Sequence, residues 1–206
     1  MATCALVGAV DFNAEHFCAQ AFDYVIAVDG GYAHLQAAGV VPAVVMGDFD
    51  SLGYVPDHPC VESFSPHKDK SDMQLALERA ASSGFDELVV YGALAGRLDH
   101  TVANLQLFAR FSEAGAAVTG IADAFAVRFL TGPATFELPA YDAGTVSVFA
   151  ANDVVSGVTE RGLAYPLDDA TLSNRSSLGL SNELAGKAAS VSVQKGTISV
   201  FYPLGL

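Results

Sequence analysis

Basic residues are scarce in this 206-residue chain, which has 10 Lys and Arg against 23 Asp and Glu, a formal net charge of −13. Nucleic acids are bound through basic faces, and anionic membrane surfaces also attract basic segments. The charge balance therefore argues against a nucleic-acid partner and against a membrane partner. An acidic protein can still bind a polyphosphate when divalent cations lie between the two negative partners.

Cysteine is also rare, and the three present are Cys4, Cys18 and Cys60. The odd number and the lack of any C-x-x-C indicate neither a disulfide framework nor a structural zinc site, so we expect a cytoplasmic location. No basic segment precedes the N-terminal apolar stretch, so no signal-peptide pattern is present. One uncharged run, residues 30–47, reaches the length of a membrane span, but its proline and four glycines favour a helix, a turn and a buried strand.

The hydrophobic content of 51% excludes a disordered chain, and the pattern divides it in two. Residues 1–122 alternate short apolar runs with helical patterns, which predicts an α/β domain with a parallel, Rossmann-like sheet. We expect strands at 5–10, 24–28, 43–46 and 88–91, and helices at 13–21, 32–38, 71–83 and 99–114. The apolar stripe of the last helix is expected to comprise Leu98, Val102, Leu105 and Phe108.

Residues 123–206 contain short alternating segments separated by Gly, Asn and Asp, which predicts a small all-β sandwich domain. Strands are expected at 125–130, 135–138, 145–149, 154–159, 190–194 and 197–202. No long flexible linker marks the boundary between the two predicted domains.

Two acidic motifs follow predicted strands of the first domain. In G-D-F-D-S at residues 47–51, an extended backbone would point Asp48 and Asp50 toward one ligand, and a divalent cation would relieve their repulsion. A simple turn is the alternative. In V-D-G-G at residues 28–31, Asp29 could bind a cation while Gly30 and Gly31 permit close approach of a ligand. The alternative is a strand-to-helix turn that Asp29 caps.

Two further motifs begin predicted helices. In K-D-K-S-D at residues 68–72, Ser71 starts a capping box and the lysines favour phosphate. Asp69 and Asp72 could complete a metal shell that Asp48 and Asp50 begin. A solvated charged loop is the alternative. In G-A-L-A-G-R-L-D-H at residues 92–100, Arg97 could bind phosphate in a bidentate manner, and Asp99 could cap the helix or ligate a metal. His100 is expected to be a neutral hydrogen-bonding residue.

The four motifs together indicate a Mg²⁺–polyphosphate site. They bring six aspartates to strand–helix junctions, within a half of the chain that has 15 acidic and 5 basic residues up to position 122. In such a site the metal neutralises the phosphates and the protein positions the reactants.

The same residues resemble the thiamine pyrophosphokinase family in content, order and spacing. The similar segments are V-D-G-G, G-V-V-P-A-V-V-M-G-D-F-D-S-L, K-D-K-S-D-M-Q-L-A-L and G-R-L-D-H-T-V-A-N-L-Q-L, then G-L-A-Y-P-L and S-L-G-L-S-N-E. They extend over nearly the whole chain. The departures, such as Tyr32 and His34 after the D-G-G, remove no expected metal ligand.

The resemblance implies transfer of pyrophosphate from ATP to the hydroxyl of thiamine, with Mg²⁺ as cofactor, by a homodimer whose active sites are shared between subunits. It implies that residues 1–122 bind ATP and Mg²⁺ and that residues 123–206 bind thiamine and dimerise. Because tryptophan is absent, an aromatic that stacks on the pyrimidine must be Tyr or Phe. The expected roles are catalysis by Asp72 (as general base), Asp50 and Arg97; metal binding by Asp48, Asp50, Asp72 and Asp99; nucleotide binding by Asp29, Gly30, Gly31, Lys68, Ser71, Arg97, Asp99 and His100; and thiamine binding by Ser181 and Asn182.

Three other functions fit the same phosphate motifs. A diphosphokinase acting on a pterin alcohol would differ only around residues 177–183. A non-catalytic nucleotide sensor would bind without turnover, and a metal-dependent phosphohydrolase would release phosphate without an acceptor alcohol.

Overall fold

The computed structural model describes residues 2–205, which divide into two compact units. The first unit comprises the residues up to Leu107 together with Gly120–Asp123, and the second comprises Phe108–Thr119 together with Ala124–Gly205. None of the helices within residues 2–205 has both the length and the apolar character of a membrane span.

The first unit contains a parallel sheet with helices between its strands. Its elements are β1 (Thr3–Val7), α1 (Ala14–Cys18), β2 (Tyr24–Val28), α2 (Gly31–Ala37), β3 (Val44–Gly47), β4 (Val61–Ser63), α3 (Asp72–Ser82), β5 (Glu87–Tyr91) and α4 (Leu98–Glu113), the end of which belongs to the second unit. The strands pair in the order β5–β1–β2–β3–β4, all in parallel. Their apolar runs are buried almost throughout, as expected of a sheet covered on both faces.

Helices α3 and α4 show how far local sequence signals determine the fold. Ser71 Oγ accepts a hydrogen bond from the Gln74 amide at 3.2 Å, which confirms the predicted helix start. The Gln74 side chain bonds Glu78 instead of closing a capping box. The predicted stripe of α4 is wrong at its N-terminal end: Leu98 is 74% and Val102 45% exposed, because the rest of the described chain leaves the first turns uncovered.

The second unit contains two antiparallel sheets around one apolar core. Strand β6 (Ala117–Ile121) is divided between the units and is followed by β7 (Phe125–Thr131), β8 (Ala134–Leu138), β9 (Thr145–Ala150), β10 (Val154–Arg161), β11 (Ala170–Ser173), β12 (Asn182–Glu183), β13 (Ala189–Val193) and β14 (Thr197–Pro203). The sheet orders are β12–β9–β14–β7 and β11–β10–β13–β8. Alternation in A-S-V-S-V of β13 turns Ala189, Val191 and Val193 into the shared core.

The predicted fold class is confirmed in its coarser form, a domain with a mixed sheet and a separate antiparallel β-sandwich. Strands β4, β6, β11 and β12 were not predicted, and β4 and β12 have only three and two residues. The boundary after residue 122 stays a prediction. The residues of α4 from Phe108 onward belong to the second unit. There the Phe108 and Phe129 rings pack edge to face, with their centroids 6.0 Å apart.

Candidate active site

A cleft of about 620 Å³ lies in the first unit, where the chain leaves β1, β2, β3 and β5. Ligands of open α/β sheets bind at these carboxyl ends. All four sequence motifs contribute residues to its lining. The described residues therefore bring together the strand–helix junctions that the sequence predicted to cooperate.

Three carboxylates gather on one side of the cleft. Asp29, Asp48 and Asp50 each offer an oxygen within 4.8 Å of the others. The expected extended backbone at Asp48 and Asp50 is wrong, because the buried Phe49 between them has φ +62° and the Asp50 amide donates to Asp48 Oδ1 at 3.3 Å. A turn thus brings the two carboxylates together, so the turn and the metal-site interpretations are both compatible with this geometry.

Asp29 is held by the same turn. Its Oδ2 accepts a hydrogen bond of 2.6 Å from Ser51 Oγ, and its buried Oδ1 has no hydrogen-bond partner among residues 2–205. It does not cap α2 through its side chain. Gly31 is required for packing, because a Cβ there would lie 1.8 Å from the Val7 carbonyl oxygen. Gly30 and Gly31 therefore allow α2 to start against β1, and neither is among the residues that line the cleft.

Lys68 links two of the predicted metal ligands, Asp48 and Asp72. Its Nζ lies 2.8 Å from Asp48 Oδ2 and 3.2 Å from Asp72 Oδ1, with all three side chains largely buried. The hydrogen bond from Lys68 lowers the pKa of Asp48, whereas burial raises the pKa of Asp72 despite the same lysine. Burial opposes the charge of Lys68, but its bonds to both carboxylates outweigh this and raise its pKa.

The start of α4 holds an exposed ion pair. Arg97 Nη2 lies 2.6 Å from Asp99 Oδ2, and this hydrogen bond lowers the pKa of Asp99 to about 2. Arg97 and His100 line the cleft, as Ser71 does, but Asp99 is not among the described lining residues. Of the four predicted metal ligands, Asp48 and Asp50 thus belong to the three-carboxylate group, while Asp72 and Asp99 are paired with basic residues.

The sequence analysis missed the segment after β1, which was assigned to a longer strand. Gly8 and Gly92 meet at the cleft: a Cβ on Gly8 would lie 2.5 Å from the Gly92 oxygen, and Gly92 has φ +64°. The Val10 amide donates to the same Gly92 oxygen at 3.2 Å. Asn104 was also missed, and its Nδ2 donates to the Ala93 oxygen at 2.9 Å. A glycine at each strand end was the available signal.

A second cavity, of about 410 Å³, lies within the second unit. Ser181 lines it with an exposed side chain, a φ of +60° and an amide that donates to Ser147 Oγ at 3.0 Å. At its rim, Tyr165, Leu178 and Leu180 are more than half exposed. Gly179 between the two leucines is pressed against β9, since a Cβ there would lie 2.1 Å from the Val148 oxygen.

Asn182 lines the same cavity, but its side chain is engaged within the chain. Its Nδ2 donates to Glu160 Oε2 at 2.5 Å and to the Tyr165 oxygen at 2.8 Å, while its Oδ1 accepts from the Tyr165 and Glu183 amides. These four bonds use the full capacity of an amide side chain. Asn182 therefore has no unused hydrogen-bonding group in this structure, and its direct contact with a ligand stays a prediction.

Glu160 was missed because the predicted strand ended at Thr159. In β10, the alternation that buries Val158 also turns Glu160 inward, where it is 1% exposed. Burial raises the pKa of Glu160, and the bond from Asn182 opposes that shift. An acid continuing an inward-facing apolar alternation was the signal in the sequence.

An acidic cleft at strand ends and a separate second cavity are compatible with a group-transferring enzyme, and the chain is a transferase of the kinase type. Two family models match it: thiamin pyrophosphokinase, catalytic domain, over residues 16–119, and thiamin pyrophosphokinase, vitamin B1 binding domain, over residues 135–198. The chain belongs to the thiamin pyrophosphokinase family.

Individual relatives agree with this assignment. The thiamine pyrophosphokinase of Bacillus subtilis (strain 168) is 26% identical over 180 residues, which are 84% of each chain. A crystal structure of the enzyme from Bacillus subtilis matches with a TM-score of 0.85 and 23% identity over 99% of this chain and 100% of that one. The enzyme from Geobacillus thermodenitrificans matches with a TM-score of 0.82 and 26% identity over 98% of each chain.

Proposed function

We propose that this chain transfers the pyrophosphoryl group of ATP to the hydroxyl of thiamine, giving thiamine diphosphate and AMP. The observation that carries the proposal is the group of Asp29, Asp48 and Asp50 within the region that matches the family's catalytic domain. The cavity around Ser181 falls within the region that matches the vitamin B1 binding domain. We accordingly assign ATP and Mg²⁺ to residues 1–122 and thiamine to residues 123–206.

The three-carboxylate group fits a divalent cation. Its oxygens are close enough to share one ion, and the buried Oδ1 of Asp29 has no hydrogen-bond partner among the described residues. We assign Asp29, Asp48 and Asp50 as Mg²⁺ ligands, with Asp72 and Asp99 as further candidates. When bound, Mg²⁺ would neutralise the polyphosphate and increase the electrophilicity of its phosphorus atoms.

Basic and polar residues around these carboxylates would hold the nucleotide. Lys68, Arg97 and His100 line the cleft together with Ser71 at the start of α3, and they would contact phosphate oxygens. Gly30 and Gly31 shape the turn that carries Asp29. The parallel strand order with the cleft at the carboxyl ends supports a Rossmann-like description of this unit.

We assign Asp72 as the general base. It lines the cleft, and Lys68 fixes its carboxylate 3.2 Å away. The hydroxyl oxygen of thiamine forms a bond to the β-phosphorus while its proton passes to Asp72. The bond between the β-phosphorus and the oxygen that bridges it to the α-phosphorus breaks, and AMP leaves. Arg97 would stabilise the charge that develops on the phosphates, and Asp50 would hold the reacting group through the metal site.

Thiamine would lie in the second cavity, with the Ser181 hydroxyl as a hydrogen-bonding group and the exposed ring of Tyr165 as its stacking partner. We further propose a homodimer in which this cavity completes the ATP cleft of the partner subunit. Exposed Leu178 and Leu180 beside Tyr165 support it, because apolar rims of this kind mark contact surfaces. The three free cysteines support a reducing, cytoplasmic location.

The test is to incubate the protein with ATP and Mg²⁺, with thiamine, with a pterin alcohol or without any acceptor, and to measure AMP and the diphosphate product. We expect AMP and thiamine diphosphate in equal amounts, with thiamine only. AMP formed with the pterin alcohol would favour that substrate class. Phosphate release without acceptor would indicate a hydrolase, and nucleotide binding without turnover would indicate a sensor.

A further inference from the structure

One buried carboxyl group in the second unit has an unused hydrogen-bonding position. Glu160 is the one acidic residue among those of the described chain that line the second cavity, and it is 1% exposed. Its Oε2 accepts from Asn182, but its buried Oε1 has no hydrogen-bond partner within residues 2–205. Buried polar atoms of folded proteins nearly always have a partner, so this oxygen is an acceptor position that a ligand or a water molecule can fill.

The neighbouring hydrogen bonds fix which oxygen of Glu160 stays free. Asn182 Nδ2 is shared between Glu160 Oε2 and the Tyr165 oxygen, and Asn182 Oδ1 holds the Tyr165 and Glu183 amides. The amide therefore cannot rotate to serve Oε1 without losing these bonds. The free oxygen is therefore a fixed hydrogen-bond acceptor on a residue that belongs to the cavity lining.

We propose that Glu160 determines acceptor specificity by taking, at Oε1, a hydrogen bond from the exocyclic amino group of bound thiamine. The inference rests on the proposed function, and it adds a residue that the sequence motifs did not include. Thiamine suits this position because its exocyclic amino group is an N–H donor that the free oxygen of Glu160 can accept. An acceptor alcohol with a carbonyl oxygen in place of the amino group would leave two acceptors facing each other.

The replacement Glu160→Gln tests the contact with almost unchanged shape. Because Asn182 Nδ2 donates to the retained oxygen, the new amide nitrogen takes the position of Oε1 and presents a donor instead of an acceptor. We expect KM for thiamine to rise about 10- to 100-fold with a smaller change in kcat. Discrimination between thiamine and its carbonyl analogue should fall by a similar factor. Glu137→Gln, an exposed acid on β8, is the matched control and should change neither quantity.

Calorimetric titration of thiamine alone gives a second readout, and thermal melting reports whether the variant folds. If Glu160→Gln does not fold, the wild-type protein still decides: it should bind thiamine about 10- to 100-fold more tightly than the carbonyl analogue. Equal affinities for the two compounds, or an unchanged KM in a folded Glu160→Gln, would overturn the contact while leaving the proposed function intact. Absence of turnover in a wild-type protein that binds thiamine selectively would overturn the function and leave the contact standing.

Discussion

The cleft of the first unit and the cavity of the second both contain carboxylates, but the partners and the burial of these carboxylates differ. In the cleft, Lys68 pairs with Asp48 and Asp72, and the carboxylates of Asp29 and Asp50 lie within 4.8 Å of that of Asp48. In the cavity, the Glu160 side chain is buried and receives one hydrogen bond, from Asn182. The arrangement in the cleft suits charged ligands that metal and basic groups hold. The arrangement in the cavity suits recognition of a single hydrogen-bond donor.

The largest effect should come from the acidic cleft. We expect Asp48→Asn and Asp50→Asn each to reduce turnover by about two orders of magnitude or more, because each removes a charge from the proposed metal site. Asp86→Asn, in the exposed turn before β5, is the matched control and should remain active. Circular dichroism of each variant should match the unchanged chain. Full activity in both variants would disprove the metal site.

Inactivating changes in the two regions should complement each other when different subunits of a dimer carry them. Neither Asp48→Asn nor Asn182→Ala homodimers should be active, the latter because Glu160 and the Tyr165 backbone lose their shared anchor. Mixing them in equal amounts should restore about a quarter of the unchanged activity, since half of the dimers are mixed and each has one intact site. No recovery despite demonstrated subunit exchange would place both halves of the site in one chain.

Nucleotide affinity should depend on Mg²⁺ whereas thiamine affinity should not. Without the cation, a triphosphate meets a group of three carboxylates of which only Asp48 is paired with a lysine, so we expect EDTA to weaken binding of a non-hydrolysable ATP analogue by about 10- to 100-fold. Calorimetric titrations of both ligands with and without EDTA make the comparison. Equal nucleotide affinity in both conditions would shift the role in binding to Lys68, Lys70 and Arg97.

Lys68 should contribute to stability as well as to binding. We expect Lys68→Gln to lower the free energy of unfolding in metal-free buffer by about 1–3 kcal/mol, because Asp48 and Asp72 lose a largely buried partner. Lys70→Gln is the matched control: it breaks a pair with Glu78 of the same 2.8 Å length, but the lysine is half exposed and should matter by less than about 1 kcal/mol. Urea unfolding measures both, and equal losses would contradict this account.

The smallest effect concerns pH and the cavity. Burial raises the folded-state pKa of Glu160, so the folded protein binds a proton that the unfolded chain has already lost. This contribution to stability is complete below the ordinary Glu pKa and disappears as pH rises through the raised value. The stability of the wild-type chain relative to Glu160→Gln should therefore fall as pH rises from below the ordinary Glu pKa through the raised value. A constant difference in melting temperature would show that the carboxyl is not perturbed.

Sequence reasoning succeeded where a function depends on neighbouring positions and failed where it depends on distant ones. The Asp48 and Asp50 pair was predictable, because one turn brings both carboxylates to the cleft, although the left-handed Phe49 was not foreseen. The bond between Glu160 and Asn182 joins residues 22 positions apart on different strands. Whether Asn182 contacts a ligand or holds the wall depends on that pairing, which no local pattern specifies.

The close contact between Gly8 and Gly92 has a consequence for the thermodynamics of binding. Because no Cβ fits at either residue, this part of the cleft is formed by backbone whose hydrogen bonds fix it to the neighbouring strand end. Because backbone atoms have no side-chain rotamers, this surface loses no side-chain conformational entropy when a ligand binds. The cleft is thus preorganised at its centre, and adaptation to a bound nucleotide would be confined to the longer side chains around it, such as Lys68 and Arg97.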